Sequence, residues 1–229
     1  MRSPEGCRLL SQVDILRPLS REDLRTLGSR LPIINLDQGQ LFHTPVFSGA
    51  MIFLLLEGRI RVYKEVAGQE LTIMVLDAGA MFGEMSLTAR GAHEAYTQAM
   101  QPSKVCVMSH NQFRQLVMDN PEVGLRVAEV LSERQALYWN RMADISFKEI
   151  PARLAGLILQ LVESEGVAIP EGYRIPTRYT HEQLGAMIGA RRVAVTRALG
   201  GLRRAGVVEL RRRRIYVTDI KVLENLAGR

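Results

Sequence analysis

The sequence predicts an α+β protein, with a β-rich N-terminal half, one long helix and a small basic helical unit at the C-terminal end. Three observations lead there. Between Ile33 and Ser109 short aliphatic segments alternate with glycine turns, after Asn120-Pro121 the pattern changes to helical periodicity, and the surplus positive charge is confined to the last third. With 229 residues, 47% hydrophobic and 24% charged, the chain has enough apolar content to bury a core. The net charge of +6 is unevenly held: residues 151–229 carry 14 Lys+Arg against 7 Asp+Glu, and residues 1–150 carry 16 against 17. That asymmetry points to a polyanionic partner for the C-terminal part alone.

The N-terminal stretch "MRSPEGCRLLSQVDILRPLS" breaks its apolar residues with Asp14, Arg17 and Pro18, so no signal-peptide core is expected. The longest apolar run, Ala50 to Leu56, is far shorter than the roughly 20 residues of a membrane span. Cys7 and Cys106 form no CxxC pair, which argues against a disulfide framework or a thiolate metal site and suits a reducing cytoplasm. The expectation is a cytoplasmic protein without a membrane partner. From Ile33 on, "RIRVYKE" and "ELTIMVL" read as strands, with Gly39, Gly49, Gly58, Gly68 and Gly79 between segments and "AGQE" as a hairpin turn. Regularly spaced short strands predict a sandwich or roll.

Pro121 suits the first turn of a helix, where its missing N–H costs nothing. Along the helix that follows, Gly124, Val127, Leu131, Arg134, Tyr138, Arg141 and Ile145 recur at steps of three and four, the seam of a helix that pairs with a copy of itself. The same spacing serves a helix packed on its own core. The two seam arginines favour a homodimer with an anionic group nearby, either a carboxylate such as Glu133 or Asp144 or a ligand. "EIPARLAGLILQLVESEG" is a further amphipathic helix, and "VAIPEGYRIPTRY" reads as a Pro/Gly-bearing connection.

In "THEQLGAMIGARRVAVTRALGGLRRAG", Thr180 and Gln183 form a capping box that opens a short helix, and Gly189 permits a tight turn into a second one. This is a helix-turn-helix layout. At 100° per residue Val195, Ala198, Leu199 and Leu202 make one apolar stripe, with Val193, Thr196, Arg197, Gly200 and Arg204 opposite and Arg192 and Arg203 flanking. The charge thus falls on the face the core does not use. Arg192, Val193, Thr196 and Arg197 are placed to read base edges in a major groove, where an arginine can hold the O6 and N7 of guanine. "VVELRRRRIYV" reads as two strands around an arginine turn, the wing of a winged helix. Arg211, Arg212, Arg213 and Arg214, with Thr180, His181 and Arg191, are expected on DNA phosphates.

This order of parts resembles the cyclic-AMP receptor protein/FNR family of bacterial transcription regulators, from about Val13 onward. "FGEMSL" at 82–87 looks like the family's effector-binding turn, and residues 180–208 look like its DNA-binding unit, similar in "RVAVTRALGGLR" to the cyanobacterial global nitrogen regulator. The resemblance implies a double-stranded β-roll sensor over 1–120, a dimerisation helix and hinge over 121–148, and a winged helix-turn-helix over 149–229. It implies a homodimer on double-stranded DNA, with RNA polymerase as a further partner. Many members carry glutamate where Val193 stands, which makes a palindrome of the GTA/TAC kind the better expectation.

The effector pocket implied by the resemblance comprises Gly83, Glu84, Met85, Ser86, His93, Glu94, Arg134 and Tyr138. Cyclic-nucleotide binders in the family hold the phosphate with an Arg-Ser pair where this chain has His93-Glu94, and a carboxylate there is repulsive. Tyr138-Trp139 replace the family's adenine-contacting Thr-Ser. Cyclic AMP is therefore not the expected effector. Another metabolite, or none, fits better, and Gly83-Glu84 serve equally as a structural turn. Two cysteines are too few for an iron–sulfur cluster, and His43, His93, His110 and His181 are scattered, so neither a cofactor nor a metal is expected. The competing class is a cupin-like metal enzyme fused to a basic DNA-binding tail. It lacks the paired histidines such a metal needs, and no nucleophile–base arrangement or phosphate loop appears.

Overall fold

The glycine-punctuated segments form two four-stranded antiparallel sheets. The computed structural model describes residues 8–43, 51–84 and 95–228. In chain order these give a 3-10 turn (Asp14–Leu16), α1 (Arg21–Arg30), β1 (Ile33–Leu36), β2 (Leu41–His43), β3 (Met51–Glu57), β4 (Arg59–Val66), β5 (Gln69–Asp77), β6 (Met81–Phe82), β7 (Tyr96–Ala99), β8 (Ser103–Ser109), α2 (His110–Asp119) and α3 (Pro121–Phe147). One sheet has the order β1-β8-β3-β6 and the other β2-β7-β4-β5. This is the expected double-layered roll. The chain divides into two compact units; apart from Gln69–Thr72, which group with the C-terminal one, the division falls inside α3, between Ala136 and Leu137.

The run "MIFLLLE" has no alternation because β3 is buried on both faces. Phe53 and Leu55 point into the roll, where they meet Leu36, Ile60, Leu76, Phe82 and Val105. Ile52, Leu54 and Leu56 point the other way, into a second core with Leu10, Ile15, Leu16, Phe113, Leu116 and Val123. A strand between two apolar layers needs apolar residues at every position. The bend into β4 is possible because Gly58 has φ +95°, and any Cβ there would lie 2.6 Å from the Pro102 carbonyl oxygen. Ala67 (φ 52°) and Gly68 (φ 71°) make the tight turn of the β4–β5 hairpin.

The long helix starts at Pro121 as expected, and the residues of the three-four seam divide between two surroundings. Val127 belongs to the core of the first unit. Arg134 donates from Nη1 to Glu84 Oε1 at 2.8 Å and from Nη2 to the Met81 carbonyl. Arg141 donates to the Met187 carbonyl. These three residues therefore face their own units, and Leu131, Tyr138 and Ile145, joined by Met142, remain exposed. The two groups are the two alternating positions of the seam, each repeating every seven residues.

The second unit is built on α4 (Ile150–Glu165), whose Leu154, Ala155, Ile158 and Leu159 are buried. Against it pack α5 (His181–Ile188), α6 (Arg192–Arg204) and α7 (Ile220–Ala227). The connection "VAIPEGYRIP" is more regular than its composition indicates. It contains β9 (Val167–Ile169) and β10 (Gly172–Arg174), which join β11 (Val208–Arg211) and β12 (Arg214–Val217) in a sheet of order β11-β12-β10-β9. Glu165, at the end of α4, accepts hydrogen bonds from Tyr179 Oη at 2.5 Å and from the Thr177 hydroxyl, tying the following loop to the helix.

Candidate nucleic-acid interface

The helix pair α5–α6 begins with a complete capping box. Thr180 Oγ1 accepts from the Gln183 backbone N–H at 3.1 Å, and Gln183 Oε1 accepts from the Thr180 N–H at 2.8 Å. The Thr180 hydroxyl still has its own hydrogen to donate. At the other end Gly189 takes the left-handed conformation, φ 65° and ψ 44°, so α5 stops and the chain turns sharply. Two guanidinium groups satisfy the carbonyls left open there: Arg141 Nη2 reaches Met187 O at 2.5 Å and Arg153 Nη1 reaches Ile188 O at 2.9 Å. Burial lowers Arg141 from its ordinary value. Positive charge at a helix C-terminus also complements the dipole.

On α6 the buried residues are Val195, Ala198, Leu199 and Leu202, the apolar stripe read from the sequence. Arg192, Val193, Thr196, Arg197, Arg203 and Arg204 are exposed, and so is Arg191 at the N-cap. Val193 is 62% exposed, which a core-seeking aliphatic side chain tolerates only at some cost. No side chain caps the first turn of α6, and that turn contains no acid, so its positive end is not offset by a carboxylate of its own. One detail has no signal in the sequence: His181 Nδ1 lies 2.8 Å from Thr196 Oγ1, which also donates to the Arg192 carbonyl at 3.0 Å.

In the arginine hairpin only two of the four residues are at the turn. Arg212 and Arg213 occupy its two positive-φ positions, at 50° and 63°, and are exposed. Arg211 and Arg214 are a cross-strand pair. Arg211 Nε binds Glu209 Oε2 at 2.6 Å and its guanidinium lies 5.2 Å from the Tyr216 ring centre. Arg214 Nε is committed to the Pro176 carbonyl at 2.9 Å, so this arginine braces the sheet and does not stand at the tip with the others. Strand pairing on either side of a two-residue turn dictates the difference.

Of the expected effector residues, Gly83 and Glu84 are described, and Met85, Ser86, His93 and Glu94 lie outside the described residues. Gly83 has φ +85°, and a Cβ there would fall 2.7 Å from the Met51 carbonyl oxygen. Glu84 is paired with Arg134, the two side chains being 13% and 12% exposed. Tyr138 is on α3 beyond Ala136, in the second unit. Burial raises the Cys106 thiol to about 11. Among the described residues no group of three His, Cys, Asp or Glu side chains is arranged to hold a metal ion, and no helix is long and apolar enough to cross a membrane.

Comparison with known proteins agrees with this geometry. Residues 152–226 match the Crp-like helix-turn-helix domain, and residues 40–120 match the cyclic nucleotide-binding domain. The chain is 29% identical to the global nitrogen regulator of Synechocystis sp. over 88% of its own length and 92% of that protein's. It is 22% identical to a CRP-like cAMP-activated global transcriptional regulator of Mycobacterium tuberculosis, covering 96% of this chain and 98% of that one. A transcriptional regulator of the CRP/FNR family from Thermus thermophilus has the same fold, with a TM-score of 0.73 at 23% identity over 86% of this chain and 99% of the other. Nothing among these matches supports the metal-enzyme alternative.

Proposed function

Because the chain belongs to the CRP/FNR family of transcription regulators and carries its DNA-binding helix-turn-helix, we propose that it binds a palindromic operator as a homodimer, with α6 of each copy in a major groove. Half-sites would then be about 34 Å apart. The observation that carries this reading is the two-sidedness of α6: its four apolar residues are spent on the core, and Arg192, Val193, Thr196 and Arg197 are exposed together on the side facing away from it. Arg192 and Arg197 are the candidates for guanine. Thr180, His181, Arg191, Arg212 and Arg213 are the candidates for phosphate, and Arg211 contributes what its pairing with Glu209 leaves available. RNA polymerase is the proposed protein partner and the cytoplasm the proposed location.

The exposed apolar side chains of α3, Leu131, Tyr138, Met142 and Ile145, support pairing with a second copy. The proposed effector is a metabolite other than cyclic AMP, or none. Support comes from Glu94, which stands in the sequence where a cyclic phosphate would need a cation, and from Glu84, which Arg134 already engages. Selecting preferred sites from random duplex DNA, with and without added cyclic AMP or 2-oxoglutarate, tests both parts. A conserved palindrome that cyclic AMP does not alter is the expected result. Recovery of no preferred sequence at moderate salt would defeat the DNA-reading proposal.

A further inference from the structure

Thr196 sits on the exposed side of α6 with its hydroxyl already committed. The oxygen is 3.0 Å from the Arg192 carbonyl one turn earlier and 2.8 Å from Nδ1 of His181, the first residue of α5. A hydroxyl has one hydrogen, and a carbonyl can only accept. The hydrogen therefore goes to Arg192, and the second contact requires a proton on Nδ1. His181 provides it from Nδ1. Threonine in a helix divides between two χ1 rotamers. A donor on the neighbouring helix restrains that choice, because the oxygen stays within hydrogen-bond reach of both Nδ1 and the Arg192 carbonyl.

Three residues earlier on the same side is Val193, an exposed aliphatic group with no polar function. Between Arg192 and Arg197 the helix thus carries two exposed methyl-bearing side chains, one of them with its hydroxyl hydrogen already engaged. We infer that His181 is a positioning residue for base recognition: it holds Thr196 so that its methyl, beside Val193, meets the C5-methyl of thymine, the one apolar mark in the major groove. The inference rests on the DNA-reading function proposed above and names the base class that function selects.

The test uses the full-length protein and the duplex it selects from random DNA. Each thymine of a half-site is replaced in turn by deoxyuridine, which removes only the methyl group. Removing one buried methyl group weakens binding about 3- to 5-fold, and the expected result is such a penalty at adjacent thymines. Val193→Ala abolishes one penalty. Thr196→Ser, which keeps the hydroxyl and loses the methyl, abolishes the other. His181→Ala abolishes the Thr196 penalty and leaves the Val193 penalty intact. His181→Asn, whose amide N–H replaces Nδ1–H, restores it, an outcome that a merely structural role for His181 does not produce. If deoxyuridine has no effect anywhere in a selected site, thymine reading is wrong while DNA recognition stands. If His181→Ala keeps the full penalty, the positioning role is wrong. If no sequence is selected at all, the underlying reading fails and this inference with it.

Discussion

At the scale of single residues, three arginines show how far the partner of a charge decides its role. Arg212 and Arg213 hold left-handed backbone conformations that cost a non-glycine residue about 1 kcal/mol or more each. An Asn-Gly turn removes that cost, so the double variant Arg212→Asn, Arg213→Gly is expected to be more stable by about 1 to 2 kcal/mol in urea unfolding. The same variant should bind DNA more weakly, with a salt dependence shallower by roughly 0.9 in logarithmic slope for each phosphate that is no longer neutralised. Stability and affinity moving in opposite directions is the signature of residues kept for binding. Arg134 is different. It shares a nearly buried ion pair with Glu84, and Arg134→Met leaves that carboxylate without its cation. We expect a loss of about 2 to 4 kcal/mol, largely recovered when Glu84→Gln is added, because the cost lies mainly in the unpaired charge. Thermal melts of the two single variants and the double one measure it.

At the scale of elements, what is set by neighbours along the chain is visible in the sequence, and what is set by distant neighbours is not. The capping box at Thr180, the left-handed Gly189 and the buried stripe Val195, Ala198, Leu199 and Leu202 depend on spacings of three or four residues, and all are found. The partners of Arg134, Arg141 and Arg214 are 50, 46 and 38 residues away, and no periodicity encodes such contacts. On α3 the seam residues divide in alternation: Val127, Arg134 and Arg141, seven apart, meet their own units, and Leu131, Tyr138 and Ile145 stay exposed, a division set by what lies beside the helix and not by its spacing. The β9–β10 hairpin is not legible in the sequence because strands of three residues are too short to show alternation. The arginine clamp on α5 gives a further prediction. Arg153→Met removes a charged donor from the Ile188 carbonyl and is expected to destabilise the second unit by about 1.5 to 3 kcal/mol in chemical denaturation.

At the scale of the whole molecule, charge and apolar exposure divide the work. The C-terminal 79 residues hold the entire positive surplus, so binding to duplex DNA should weaken steeply between low and moderate salt, as it does when several phosphates are neutralised together. The exposed α3 residues give an independent test. In the proposed homodimer, Leu131→Asp replaces an exposed apolar residue of α3 by a carboxylate and is expected to shift sedimentation to the monomer mass, with affinity for the proposed palindrome falling at least tenfold as its half-sites become uncoupled. Finally, β3 forms the wall between two cores, with Ile52, Leu54 and Leu56 on one side and Phe53 and Leu55 on the other. A protein diversifying under selection has no neutral direction in which to vary such a segment. Descendants of this chain that acquire new ligands should therefore show their changes elsewhere in the roll, and positions 52–56 should be the most slowly changing stretch of the N-terminal unit.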